Sequence, residues 1–177
     1  MDNLENEGEL RFTELLEQIR ICLKNDFLSV AIMTSLAIPD IAGAINSKNG
    51  KANKTKYACW FNEFCKPKFQ FSGGFCLNGD DCYYLRCSVL HQGKAEHQKL
   101  SAFSDIILCR IPQASDTGSP ISLIKDDILL IEPKFFCNRM ISAAYDWLDE
   151  VHGSQNFKNN SKKFLKLFSL KFDGVSA

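Results

Sequence analysis

The stretch "DCYYLRCSVLHQG", Asp81 to Gly93, decides how this chain is read. As a helix it is one member of a packed bundle. As irregular chain, its two thiols and one imidazole suit a small metal-held unit. The helix signals are local and consistent. Asn78 is a candidate N-cap, and Asp80 and Asp81 fall in the first turn, where the helix dipole favours negative charge. Cys82, Leu85 and Val89 share one face, and Gly93 is a natural stop.

Working outward, the preceding segment gives Tyr57, Trp60, Phe61, Phe64 and Cys65 the i, i+3, i+4, i+7, i+8 spacing of a buried helix face, closed by Pro67. Before it, "FLSVAIMTSLAIPDIAGAIN" is apolar on nearly all sides, which predicts a central buried helix with a kink or new turn at Pro39. Ala42, Gly43 and Ala44 offer a small-residue surface for a neighbouring backbone. Leu15, Ile19, Cys22 and Leu23 predict an amphipathic first helix over about 9–24. After Gly93 the texture changes. "DIILCRIP" and "ILLIEP" read as strands of a small hairpin, inserted at about 105–132. Pro133 then opens a last long helix with Phe136, Met140, Ala144, Trp147 and Val151 on one face. Residues 1–153 form the expected single domain. Residues 154–177 form a basic amphipathic C-terminal segment, either packed or mobile.

Composition bounds the function. The 177 residues carry 21 Lys+Arg and 21 Asp+Glu, so no global field advertises a nucleic acid or a membrane, and such a partner must be met by a local patch. The acidic "MDNLENEGEL" start lacks an apolar signal core, and no apolar run approaches a membrane span, so a cytoplasmic protein without membrane contact is expected. Eight cysteines are then expected to be reduced, most of them acting as small hydrophobes.

Three chemistries compete at Asp81–Gly93. The first is the pair Arg86 and His91, five residues apart and therefore about 140° apart around a helix. One helix alone is not expected to aim both at one point, whereas two copies packed about a dimer axis could. A histidine there suits acid–base work near neutrality. The bland alternative is that Arg86 salt-bridges an acidic neighbour while His91 caps helix carbonyls. The second chemistry is zinc: Cys76, Cys82, Cys87 and His91 follow CCCH-finger spacing, with ligand types that suit tetrahedral Zn²⁺. Against it, Cys82 and Cys87 splay apart on a regular helix. The third is a thiol nucleophile paired with His91, for which no local signature selects a cysteine. His97 reads as a loop residue and His152 as a helix-end cap. "SGGFCLNGDD" lacks the Lys of a phosphate loop.

With these blocks in place, the chain resembles the HEPN superfamily, compact helical domains with an R-x4-6-H motif late in the domain. More closely, "TSLAIPDIAGAIN", "YACWFNEF" and "GDDCYYLRCSVLHQG" are similar to those of an uncharacterised bacterial family, over roughly residues 10 to 153. The resemblance implies a mainly α fold, an HEPN-like bundle of four to five helices with the hairpin insertion. It also implies a homodimer with Arg86 and His91 at its interface, cleaving RNA without a metal or other cofactor. Toxin or defence proteins of this kind imply an antitoxin or operon partner. One departure stands out: the residue after the arginine is usually polar, often Asn, and here it is Cys87. Many HEPN-like domains are inactive, so the alternatives are a non-catalytic interaction module and a CCCH-type zinc-binding RNA module.

Overall fold

The computed structural model describes residues 3–69, 77–94, 99–100, 105–110, 124–125 and 128–164. Cys76, His97 and the end of the tail (165–177) lie outside these. The chain is mainly α. Helix α1 (Asn3–Lys24) starts earlier than its apolar pattern suggested. Phe12, Leu16, Ile19 and Leu23 form its buried stripe, while Leu15 lies at the stripe's edge.

Helix α2 (Leu28–Ile45) runs through Pro39 without interruption. Its length and mean hydropathy of 1.7 would allow a membrane crossing, contrary to the expectation that no run reaches that length. Half of it is nevertheless buried inside the protein. It packs against α1 and against α3 (Lys54–Trp60), α4 (Gly79–Gln92), α5 (Pro133–Val151) and α6 (Gln155–Asn160), so it serves as the axis of the bundle.

Helix α3 (Lys54–Trp60) widens into a π-helical turn at Phe61–Cys65 and ends in a 3₁₀ turn at Lys66–Lys68 around Pro67. The expected aromatic face is present, with Tyr57, Trp60, Phe61 and Cys65 buried. Tyr57 Oη donates to the Leu36 carbonyl at 3.1 Å, tying α3 to α2. Helix α4 (Gly79–Gln92) has the expected boundaries. Asn78 Oδ1 accepts from Asp81 N at 2.9 Å, and Gly93 closes the helix in the left-handed conformation, φ +65. Within the π-helical turn, Asn62 Oδ1 accepts from Gly79 N at 2.8 Å, so a second donor of the α4 N-terminus is satisfied.

Strand β1 (Asp105–Leu108) pairs with β3 (Ile128–Ile131) in parallel, and β2 (Ile124–Lys125) pairs antiparallel on the far side of β3. The insertion is therefore a three-stranded sheet ordered β1-β3-β2 rather than a β1–β3 hairpin. Short apolar runs identify strands but carry no information on pairing direction, which depends on the connection between them. Ile106, Leu129 and Ile131 enter the core.

Helix α5 (Pro133–Val151) begins as expected at Pro133, its N-cap Glu132 accepting from Phe135 N at 2.7 Å. Phe136, Met140, Ala144 and Trp147 are fully buried. The short α6 (Gln155–Asn160) packs the start of the C-terminal segment onto the bundle. Its Phe157 is buried, and Asn160 Nδ2 donates to the carbonyls of Ile45 and Ser47 at 3.0 and 2.7 Å, finishing the C-terminus of α2.

Two glycines separate crowding from backbone strain. A Cβ on Gly79 would lie 2.3 Å from the Ala58 carbonyl oxygen and 2.6 Å from its Cα, whereas one on Gly93 would meet nothing within 4 Å. Gly79→Ala must push α4 off the α3 backbone, at a cost expected near 3 kcal/mol, toward the upper end of overpacking effects. Gly93→Ala meets only the left-handed backbone penalty, about 1–2 kcal/mol. Urea unfolding of both variants should give that order, and the reverse order would contradict the close α3–α4 approach.

Candidate functional site

The face shared by α2 and α4 gathers the chemistry. On α4, Cys82 and Leu85 point into the core and Val89 is nearly buried. Arg86 follows Leu85 by about 100° of rotation, which carries its side chain toward α2. There Arg86 Nη2 meets Asp40 Oδ2 at 2.7 Å, each side chain only about a fifth exposed. Burial raises the Asp40 pKa above its ordinary value, against the downward pull of Arg86. Burial also works against the guanidinium charge, yet Asp40 and then Cys87 hold the Arg86 pKa above that of an ordinary arginine. Breaking one partner of such a pair costs more than the pair contributes, because the other charge is left poorly solvated.

His91 is exposed in the last turn of α4, and its Nε2 lies 3.3 Å from Arg86 Nη1. A guanidinium has only donors, so Nε2 is the acceptor and the imidazole proton sits on Nδ1. One chain therefore brings the pair together. The 140° between the two Cα positions is spanned by the reach of the arginine side chain, which folds along the helix. A dimer axis is not needed to join Arg86 and His91. The first half of the bland alternative, an acidic partner for Arg86, is realised by Asp40. Among the described residues it is His152 that contacts a helix carbonyl, with Nδ1 3.1 Å from Leu148 O.

Cys87 Sγ lies 4.0 Å from Arg86 Nη1, beside the pair. Tyr83 completes this side. Burial, and then the neighbouring Cys87, raise its pKa, so its hydroxyl stays protonated at neutrality. Its ring meets the buried Tyr57 edge-on at 5.3 Å. At the other end of α4, Lys54 bridges Asp80 at 2.7 Å and donates to Tyr84 Oη at 2.8 Å, clasping α3 to α4.

The zinc ligand set does not assemble among the described residues. Cys82 turns into the core, where its Sγ lies 3.4 Å from Tyr57 Oη, while Cys87 and His91 lie on the outer side with Arg86. Among the described residues no group of three His, Cys, Asp or Glu side chains is placed to hold a metal. Nor does a core thiol make a nucleophile. Burial pushes the Cys82 and Cys137 thiols up to about 12, and Cys65 Sγ sits 3.5 Å from Met140 Sδ.

Sequence reasoning missed Asp40. One signal was available, since Asp40 is the sole charged residue in the apolar segment that became α2. A lone carboxylate there demands a partner. Comparison with protein-family models, with curated proteins and with solved structures gave no match.

Thiol reactivity tests the placement of α4. In native, reduced protein at pH 8, Cys59, which is exposed, should alkylate ahead of the other described cysteines, while Cys65, Cys82 and Cys137 should react only on unfolding. Peptide mapping that found Cys82 alkylated as fast as Cys59 would contradict the buried face of this helix.

Proposed function

We propose that the chain is an HEPN-like domain acting as a metal-independent endoribonuclease, with Arg86 and His91 as its catalytic residues. The observation that carries this reading is the 3.3 Å contact between Arg86 Nη1 and His91 Nε2, at an exposed helix end, with Asp40 fixing the guanidinium from behind at 2.7 Å. In the reaction a ribose 2′-oxygen attacks the adjacent phosphorus and the P–O5′ bond breaks. His91 serves as general base for the 2′-hydroxyl proton or as general acid for the departing 5′-oxygen. Arg86 binds the phosphate oxygens and steadies their developing charge, displacing its contact with the imidazole. Asp40 keeps the guanidinium plane in place through Nη2, and the Nη1 donor that faces His91 is taken over by the phosphate.

The reading includes a homodimer. Val30, Met33, Ala37 and Asp40 recur at i, i+3, i+7 and i+10, which places them along one side of α2. Val30 and Met33 are 54% and 40% exposed. A second copy covering this stripe would set two Arg86–His91 pairs beside one another. A non-catalytic interaction module is the second reading, favoured by two observations: Arg86 is already engaged by Asp40, and Cys87 stands where the family usually has a polar residue.

Purified protein should cleave single-stranded RNA in EDTA, leave DNA intact and yield 2′,3′-cyclic phosphates. His91→Ala should lower the rate on the order of 10²–10⁴-fold. Arg86→Lys should also fail, since it keeps the charge but loses the planar fork. Cys87→Asn should be at least as active as the wild type. If the wild type and Cys87→Asn are both inert, the catalytic reading falls and the interaction module stands. Light scattering of a monomer at micromolar concentration would remove the dimer from either reading.

A further inference from the structure

A second constellation, sharing no residue with the Arg86–His91 face, lies where α1 ends and α5 begins. Arg20, Leu23, Lys24, Lys134 and Asn138 line a cavity of about 260 Å³. Three of these five are cations and none is acidic. The volume lies just below the ~300–1,000 Å³ range of ordinary small-molecule sites, so a compact ligand is called for.

The surrounding carboxylates leave the two lysines short of partners. Asp26 is the nearest to Lys134, at 3.7 Å, beyond hydrogen-bonding distance, and it is engaged at 2.6 Å by Arg110. Its left-handed backbone, φ +58, belongs to the α1–α2 turn that aims it there. The Lys134 side chain is only 21% exposed and has no hydrogen bond among the described residues. Most of its stem is covered while the ammonium still reaches solvent, which leaves donors open to an anion. Lys24 is exposed and has no ion-pair partner among the described residues. Arg20 is held by Glu17 and lies over the Tyr145 ring, 5.3 Å from its centroid, so its direction is fixed. Glu132, the remaining carboxylate at the start of α5, is buried and accepts from Phe135 N at 2.7 Å. An anion would therefore dock on the side chains and not on the helix terminus.

We infer that this cavity is a binding site for a diphosphate group, free as pyrophosphate or carried by a nucleotide. With Arg20 already held by Glu17, Lys24 and Lys134 are the cations left to answer, more charge than a single carboxylate supplies. Two linked phosphates supply the charge and tetrahedral acceptors on several sides at once, within a space this small. Adjacent phosphates of an RNA strand lie farther apart than the two of a diphosphate, so a cavity of about 260 Å³ favours the diphosphate.

Isothermal titration of the full chain with pyrophosphate, with ADP, with sulfate at matched ionic strength and with a short RNA oligonucleotide tests the assignment. Pyrophosphate should bind one to one and more tightly than sulfate. ADP binding as well identifies a nucleotide as the source, and pyrophosphate binding alone identifies the free ion. Lys24→Ala, which removes a cation without breaking an ion pair, should weaken binding about tenfold, the loss expected for one charge-assisted contact. Lys134→Met should weaken it at least as much, and His91→Ala should leave it unchanged. Equal affinity for sulfate, binding of the RNA alone, or an unchanged affinity in folded Lys24→Ala would overturn the assignment.

Discussion

The burial of α2 is the constraint from which the rest of the structure follows. Eighteen residues with a single charge cannot rest on the surface, so α1, α3, α4, α5 and α6 pack around them. Leu36, Ile38 and Ala42 end up fully buried. The exception on this helix organises the site. A carboxylate half-sunk in an apolar surround is costly unless an opposite charge reaches it, and Arg86 is that charge. With its guanidinium committed on one side to Asp40, its other side falls against His91.

The same device recurs at the opposite end of α2. Asp26, in the turn before the helix, holds Arg110 and stands near Lys134 as Asp40 holds Arg86. In both places a carboxylate on or beside the central helix fixes a cation that belongs to another element. Arg86, fixed in this way, needs little rearrangement to meet an anion, which is the condition for an effective phosphate contact. The Asp26–Arg110 pair, by contrast, is exposed and lies outside the cavity lining. The two faces differ in what accompanies the cation. An imidazole stands beside Arg86, whereas only cations, an amide and Leu23 line the cavity near Lys134.

Local signals carried the helices. The Asn78 cap, the Gly93 stop, the Pro133 start and the aromatic face from Tyr57 to Cys65 are near-neighbour effects, and the structure reproduces each. What the sequence hid was non-local. The Asp40–Arg86 pair joins residues 46 positions apart, and no periodicity connects them. The parallel β1–β3 pairing depends on the chain between the strands. The reach of an arginine side chain defeated an argument made from Cα angles alone. The π-helical turn at Phe61–Cys65 was also unreadable, because the 3.6-residue pattern carries through it unchanged. It is nevertheless the turn that holds Asn62, whose Oδ1 caps Gly79 N.

Asp40 holds Arg86 against His91, and the tautomer of His91 reports on it directly. Long-range ¹H–¹⁵N correlation spectra of the imidazole, recorded at pH 8 where a histidine is mostly neutral, distinguish the Nδ1–H form from the Nε2–H form that free histidine prefers. In the wild type, His91 should be predominantly the Nδ1–H tautomer, its Nε2 accepting from Arg86. In Asp40→Asn it should revert toward Nε2–H. A wild-type His91 already in the Nε2–H form, and unmoved by Asp40→Asn, would contradict the Asp40–Arg86–His91 arrangement.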